Sequence, residues 1–512
     1  MDAHEGFIRS GDRLLSRAEL MRRAARAAAG FVDSGARHGG AIAVLMRNDI
    51  AFLETVFAAG LIGVHAVPLN WHFKAEEINY ILRDSEASHL VVHADLLRAL
   101  DGSLVDGVTL LCVGVSAEIR QAYGIDRASA DPPAGVLEWD AWVSAHQPLP
   151  HDSRRPGGTM MYTSGTTGRP KGVHREPESL EQRQSNAKLR QRWFGNRPGM
   201  RTAILGPIYH SVQLSYTTAA VSAPGGVILT PRFDAEGLLR TIETERLTHL
   251  QLVPIMMSRL VKLPVEVRKR YDVSSLEFVI HGAAPCPPQI KRALIDWLGP
   301  IVYEHYGTTE TGMICRCSSE EWLARPGTVG RAWPGREIRI YDAEGNLLAP
   351  GREGEVYASF GAMPDFTYRN ADSERARIER DGFVTSGDVG YLDEDGYLYL
   401  CDRTRDMVIS GGVNIYPVET EAVLCEHPAV VDSVVFGVPD DEYGETLMAL
   451  VQLHDSAKLG PEDLQAFARK RLASFKVPRM IELREELPRD ASGKIPKRRL
   501  RAPYWSAVGK RI

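Results

Sequence analysis

A chain of 512 residues is too long for one hydrophobic core, so two or more domains are expected. Its 44% hydrophobic and 25% charged residues are ordinary for a globular protein, and a net charge of −5 argues against a nucleic-acid binder, which needs a basic surface. The six cysteines (Cys112, Cys286, Cys315, Cys317, Cys401 and Cys425) lack disulfide-scaffold or metal-ligand spacing, which fits reduced thiols in a cytoplasmic protein.

The chain opens Met-Asp-Ala-His-Glu, without the charged-then-apolar leader of a targeting segment. Ser16 with Glu19 forms a capping box ahead of a helix that should end near Gly35. A strand over 41–46, a helix from Asp49, a strand over 64–69, a helix over 74–84 and a strand over 89–93 follow. The longest apolar run, 56–64, is far too short to span a bilayer and reads as a core helix. The proline-containing stretch 131–156 reads as a surface connection. Strands at 202–205, 225–231, 248–254, 276–281 and 301–306 continue the alternation, which predicts parallel sheets with helices packed on them. Beyond Gly327, short strands at 337–342, 354–359 and 396–400 are divided by Gly and Asp turns and suggest a β-rich subdomain. Strands at 431–436 and 447–453 and a helix after Pro461 make a small α+β unit attached near 402–406. The expected fold is therefore α/β, with a large N-terminal domain and a small C-terminal one.

Residues 162–173 read Tyr-Thr-Ser-Gly-Thr-Thr-Gly-Arg-Pro-Lys-Gly-Val. Thr163, Ser164, Thr166 and Thr167 offer hydroxyls, Gly165, Gly168 and Gly172 let the backbone approach a ligand, and Arg169 and Lys171 add positive charge. Backbone N–H groups gathered in such a loop form a concave anion site, so a phosphate-bearing ligand is expected. An ordinary solvated turn is the alternative, and the ordered mixture entered from apolar 160–162 disfavours it. A P-loop needs glycine directly before its lysine and Ser or Thr after it. Here Pro170 precedes Lys171 and Gly172 follows, which removes that class. The stretch instead resembles the phosphate loop of the adenylate-forming superfamily of acyl-CoA synthetases, amino-acid adenylation domains and luciferases. The resemblance is closest to acyl-CoA synthetases and runs from about residue 10 to about residue 500.

Further motifs follow in the family's order. Tyr209 and His210 come after a strand and match the acid-pocket motif, where His210 would wall the carboxylate site; a satisfied structural histidine is the plainer reading. No Asp or Glu occurs in 204–216, which disfavours an amino-acid substrate because its ammonium would be left unpaired. His281-Gly282-Ala283-Ala284-Pro285 ends a strand, and the resemblance sets Ala283 and Ala284 beside the adenine and Gly282 and Ala283 beside the acid. In Tyr306-Gly307-Thr308-Thr309-Glu310, Tyr306 could stack on a purine, Thr309 could donate to the α-phosphate, and Glu310 could hold Mg²⁺, a hard cation suited to carboxylate and phosphate oxygen. Gly307 and Thr308 would line both nucleotide and acid. Asp388 matches the aspartate that accepts both ribose hydroxyls.

The segment 402–406 resembles the family hinge, with Arg403 approaching the nucleotide and Arg405 at the pivot. Gly411 and Gly412 match the loop that walls the pantetheine tunnel, and Lys494 matches the lysine that enters the site during adenylation; the bland alternative for the latter is a basic solvated tail. By resemblance, an adenylation domain over 1–403 carries ATP and acid, and a mobile domain over 404–512 rotates about Arg405. The implied catalytic residues are Lys494, Thr309, Glu310 and His210.

The implied reaction is an AMP-forming acid:thiol ligation that uses ATP and Mg²⁺ with coenzyme A as co-substrate. Its acid is a small hydrophobic molecule (fatty, aryl or polycyclic), for which Trp193 and Met256 are further wall candidates. No nucleic acid or integral membrane segment is implied, and a homodimer is left open. Two alternatives remain, a carrier-protein thiol as acceptor and a nucleotide-binding regulator without catalysis; intact Glu310, Asp388 and Lys494 argue against the second.

Overall fold

The segment Ala41–Leu45 is buried at every position, as a parallel strand covered on both faces must be. In the computed structural model it is the second strand of a five-stranded sheet, ordered His65–Pro68, Ala41–Leu45, Ala87–His93, Thr109–Val113 and Leu137–Glu138, with every pair parallel. The structure describes residues 6–100, 102, 104–149, 157–163, 170–175, 178–403, 406–410, 413–440, 443–455, 457, 459–489 and 494–506. They fall into two units: Met1–Leu252 with Leu263–Ile280 and Phe360–Glu379, and Val253–Lys262 with His281–Ser359 and Arg380–Ile512.

The first unit is built by helices whose ends are written in the sequence. Arg17–Asp33 starts where the Ser16 side chain accepts a hydrogen bond from the Glu19 N–H, and Ile50–Leu61 starts where Asp49 accepts from Ala51. The small buried face Ala24, Ala27 and Ala28 lets the first helix pack closely on the second. A further group of strands runs in the order His249–Leu252, Met200–Ile204, Gly225–Leu229, Phe7–Ser10 and Arg13–Ser16, parallel except for the final hairpin. Met161–Thr163, Lys171–Arg175 and Phe366–Tyr368 form a separate antiparallel sheet of three strands.

One expectation is corrected. The stretch 131–156, expected to be a surface connection, contains the edge strand Leu137–Glu138 and the helix Trp139–Ala145. Glu138 caps that helix by accepting from the Asp140 and Ala141 N–H groups, and Trp139 is enclosed, its indole N–H donating to Glu54 at 2.7 Å. The prolines of the stretch, Pro132 and Pro133 before the helix and Pro148, Pro150 and Pro156 after it, flank the helix and do not interrupt it. The apolar spacing of Trp139, Trp142 and Val143 is helical, and burying Trp139 with the half-buried Trp142 stacked on it outweighs the loop-like composition around them.

In the second unit an antiparallel series runs Ile338–Tyr341, Gly354–Ala358, Phe383–Leu392, Tyr397–Arg403, Thr328–Ala332, Gly312–Cys317 and Val302–Thr308. The later residues make their own five-stranded sheet of Val413–Ile415, Val408–Ser410, Gly444–Leu453 and Val430–Asp440, with Met480–Arg484 parallel to Gly444–Leu453. Helices Pro417–Cys425 and Pro461–Arg469 bury Leu424, Leu464 and Ala468 in the core on one face of it. Among the described residues no helix is long and apolar enough to cross a membrane. The six cysteines are free thiols, three of them buried.

His89 gives the first unit a pH dependence. It is fully buried, with Nε2 2.8 Å from Ser34 Oγ and Nδ1 2.8 Å from Ser88 Oγ, and burial lowers its pKa to about 4. The unfolded chain binds a proton near pH 6.5 and the folded one does not, so this contribution is complete above that pH and is lost as pH falls toward 4. Its size is roughly 3 kcal/mol by the free energy per unit of pKa. Urea melts between pH 7 and pH 4 should show falling stability, and His89→Gln, which does not titrate, should flatten that slope.

Candidate functional site

The phosphate-loop candidate is flanked by two strands that pair antiparallel. Met161, Tyr162 and Thr163 pair with Val173, Gly172 and Lys171, which leaves Ser164, Gly165, Thr166, Thr167 and Gly168 at its tip, outside the described residues. Tyr162 lies across Gly172, where any Cβ would come within 2.9 Å of its ring, and its hydroxyl donates to Asp84 at 2.6 Å. Lys171 stands opposite Thr163 at the mouth of the hairpin. Its ammonium donates to Glu374 at 2.6 Å and lies 5.4 Å over the Tyr368 ring, so a phosphate there would compete with a carboxylate.

Tyr209 and His210 lie in the short connection between the strand Met200–Ile204 and the helix Ser211–Ser222, with His210 as the N-cap residue. Tyr209 is buried and its ring leans on His210 at 4.3 Å between centroids. The position after a parallel strand is the one predicted, since ligands of such sheets gather at the strands' carboxyl ends. Trp193, at the end of the helix Leu180–Trp193, is fully enclosed.

The second unit holds the nucleoside candidates. Tyr306, on Val302–Thr308, and Asp388, on Phe383–Leu392, meet through their side chains although their strands are not paired with each other: the Tyr306 hydroxyl donates to Asp388 Oδ2 at 2.6 Å, and Ser386 Oγ donates to the same oxygen at 3.3 Å. Burial and the Asp388 charge push the Tyr306 hydroxyl well above its ordinary pKa, so it stays a donor at any physiological pH. Arg403 stands opposite Asp388 in the backbone register of the strands Phe383–Leu392 and Tyr397–Arg403.

Thr309 and Glu310 occupy the tip of the hairpin joining Val302–Thr308 to Gly312–Cys317, both half-buried. The turn is set by Thr308, whose hydroxyl accepts from the Thr311 N–H at 3.0 Å, and by a register shift between Tyr306 and Gly307. Gly307 is required there because a Cβ would lie 2.3 Å from the Gly312 carbonyl oxygen. Among the described residues no three His, Cys, Asp or Glu side chains cluster as metal ligands. Mg²⁺ keeps most of its shell as water and phosphate oxygen and needs only one or two carboxylates from a protein, a use that the half-buried carboxylate of Glu310 fits.

Gly282, Ala283 and Ala284 follow the strand Phe278–His281. Ala283 has φ +70°, a left-handed conformation rare for a residue with a Cβ and concentrated at functional turns. A Cβ on Gly282 would meet the His305 carbonyl oxygen at 2.5 Å and its imidazole at 2.6 Å. His305 therefore walls this turn, a contact sequence reasoning missed because it spans two strands. Met256 is buried in the helix Pro254–Val261.

Beneath the turn lies an ion pair that was also missed. Lys291, fully buried, donates to Glu304 at 2.7 Å, and His281 Nε2 is 3.8 Å from the same carboxylate. Burial raises the Glu304 pKa while Lys291 opposes that shift; burial, then the Lys291 charge, holds His281 neutral. A signal was present, because Lys291 is the lone charge on the buried face Ile290, Leu294 and Ile295 of the helix Pro288–Leu298.

Lys494 is exposed, ahead of the helix Lys497–Ser506. Its neighbour Ile495 packs with Leu500 and Tyr504 on the cluster of Val434, Phe436 and Met448. Gly411 and Gly412 join the paired strands Val408–Ser410 and Val413–Ile415, and like Arg405 they lie outside the described residues.

Two family patterns match the chain: AMP-binding enzyme over residues 3–362 and AMP-binding enzyme C-terminal domain over 419–494. A feruloyl-CoA synthase of Amycolatopsis sp is 33% identical over 510 residues, covering 98% of this chain and 97% of that one. A long-chain-fatty-acid–CoA ligase of Bacillus subtilis (strain 168) is 31% identical over 508 residues, covering 94% and 89%. The ATP-bound structure of MatB from Rhodopseudomonas palustris superposes with a TM-score of 0.82 at 28% identity, covering 98% and 97%.

The buried pair sets a stability prediction. Lys291→Met leaves the Glu304 carboxylate buried without its cation and should destabilise the protein by about 3–5 kcal/mol. Adding Glu304→Leu should restore most of that loss. Denaturant titration of both variants reads the difference.

Proposed function

The chain belongs to the AMP-binding enzyme family, whose adenylate-forming CoA ligases use ATP, Mg²⁺ and CoA, and we propose that it activates a hydrophobic carboxylic acid and transfers the acyl group to coenzyme A. The observation that carries the nucleotide part is the Tyr306–Asp388 contact, a buried carboxylate oriented by a neutral donor and suited to a ribose diol. The absence of Asp and Glu from 204–216 supports an acid without an ammonium group. The relatives named above suggest aryl and fatty acids as the first classes to try.

A carboxylate acylates poorly because its leaving group would be oxide. In the proposed first half, the acid's oxygen attacks the α-phosphorus of ATP, the bond to the bridging oxygen breaks, and pyrophosphate leaves with an acyl-adenylate formed. Negative charge then accumulates on the α-phosphoryl oxygens. Thr309 would donate to one of them, and Lys494 would bring a full positive charge, the kind of preorganised stabilisation that dominates such reactions. Glu310 would hold Mg²⁺, which when bound neutralises phosphate charge. The loop Thr163–Gly168 with Lys171 would hold the outer phosphates, and Tyr306, Asp388, Arg403, Ala283 and Ala284 the nucleoside. Tyr209, His210, Gly282, Gly307 and Thr308 would shape the acid pocket.

In the second half the CoA thiolate attacks the acyl carbon and AMP leaves. We assign this half to a rotation of the domain 404–512 about Arg405, which withdraws Lys494 and brings Gly411 and Gly412 to the thiol's path, where the lack of side chains leaves room.

Acid-dependent pyrophosphate release with ATP and Mg²⁺ tests the reading, with acetate, palmitate, cinnamate and cholate as probe acids, with and without CoA. Release with one acid class and an acyl-CoA product is expected. Adenylate without thioester would point to a carrier-protein thiol, and AMP binding without turnover to a regulator. Lys494→Ala should slow pyrophosphate release at least 100-fold while leaving thioester formation from supplied acyl-adenylate within about threefold, an order of magnitude set by electrostatic catalysis. Equal loss of both halves would refute the division of labour.

A further inference from the structure

The connection carrying Tyr209 and His210 is irregular and buried, so its backbone polar groups need partners that no helix or strand supplies. Asn48 supplies them. Its Nδ2 donates to the Gly206 carbonyl at 2.9 Å and to the Thr230 carbonyl at 3.1 Å, and its Oδ1 accepts from the Ile208 N–H at 2.9 Å. Two carbonyls demand the amide nitrogen and one N–H demands the amide oxygen, so only one orientation of the carboxamide satisfies all three. Asn48 is 5% exposed and lies just after the strand Ala41–Leu45, far away in sequence from the connection it holds.

Its neighbours keep it from swinging away. Arg47 pairs with Asp95 at 2.9 Å beneath the rings of Trp71 and Tyr123, and Asp49 is wholly buried against Arg13 at 2.9 Å while capping the helix Ile50–Leu61. The far wall is equally firm. A Cβ on Gly206 would meet Gln213 Nε2 at 2.7 Å, and Thr230 Oγ1 donates to the Ile204 carbonyl at 2.5 Å. From Ile208 the chain turns directly into Tyr209 and His210, whose N–H donates to the Pro207 carbonyl at 3.1 Å.

We propose that Asn48 is a positioning residue for acid recognition: its carboxamide sets the backbone that presents Tyr209 and His210, and so governs affinity for the acid without touching it. The proposal rests on the assignment of Tyr209 and His210 to the acid pocket. It extends to Asn48 the general rule that groups facing a substrate act only as well as the residues that hold them.

The test compares Asn48→Asp, Asn48→Ser and His210→Ala, alone and as double variants with His210→Ala, using whichever of palmitate, cinnamate or cholate is turned over. Asn48→Asp keeps the shape but turns a carboxylate oxygen toward two carbonyls. The acid KM should rise at least tenfold in Asn48→Asp and by less in Asn48→Ser, with the ATP KM within twofold. In the His210→Ala background the same Asn48 change should move the acid KM less than threefold, because residues acting through one another are non-additive. Amide exchange at Ile208, read without any acid, should quicken at least tenfold in Asn48→Asp. Parallel rises in both KM values, full additivity, or unchanged exchange at Ile208 would overturn the proposal. An acid KM sensitive to His210→Ala but not to Asn48→Asp would overturn it and leave the pocket assignment standing. Indifference to His210→Ala would remove the pocket assignment itself.

Discussion

Three consecutive residues, Arg47, Asn48 and Asp49, are polar and almost wholly buried, and the first unit is arranged around satisfying them. A charge in a low-dielectric interior costs several kcal/mol unless it is paired, so each of these side chains dictates a neighbour. Asp49 takes Arg13, with His93 3.5 Å away, and the Arg13 and His93 contacts hold its pKa well below the usual carboxylate range against the opposing pull of burial. Arg47 takes Asp95 and two aromatic faces, and the second of those rings, Tyr123, donates to the Pro231 carbonyl at 2.8 Å. Asn48 takes the carbonyl of Thr230, one residue before. The end of one parallel strand is thereby tied to the ends of two others, where the acid-pocket candidates stand.

The second unit solves a related problem with strands rather than loops. Pairing of Phe383–Leu392 with Tyr397–Arg403, and of Val302–Thr308 with Gly312–Cys317, fixes Asp388 and Tyr306 on rigid elements before any ligand arrives. A site built this way loses little freedom on binding, which is what accurate positioning of a nucleoside requires. Glycine does the same work by subtraction. Gly282 stands where a Cβ would collide with the His305 carbonyl, and Gly307 where one would collide with Gly312 across its own hairpin, so each close approach exists only because the residue lacks one.

Lys494 is held differently. It is exposed, and its mooring is apolar: Ile495, Leu500 and Tyr504 seat its segment on the sheet formed by Val430–Asp440 and Gly444–Leu453. The sheet that seats this segment has its own apolar core, distinct from the one that packs Tyr306. This is the physical basis for proposing that one charge serves only one half of a two-step reaction.

The sequence alone determined the elements and the chemistry of the motifs. Ser16 and Asp49 marked helix starts, the unbroken apolar run 41–45 marked a parallel strand, and the hydroxyl- and glycine-rich stretch at 162–173 marked a candidate phosphate loop whose flanking strands pair, because local rules of capping, periodicity and backbone freedom act over a few residues. The loop-like composition of 131–156 misled, since burial of Trp139 depends on Glu54 and Phe31, which lie far away in the chain. Tertiary structure alone decided that Tyr306 reaches Asp388, that Lys291 answers Glu304, that His305 closes on Gly282, and that Asn48 holds Ile208. Each is a pairing between distant segments, and no short stretch of sequence encodes which partner a buried polar group will find. Only the closed core, by excluding water, makes that partner necessary.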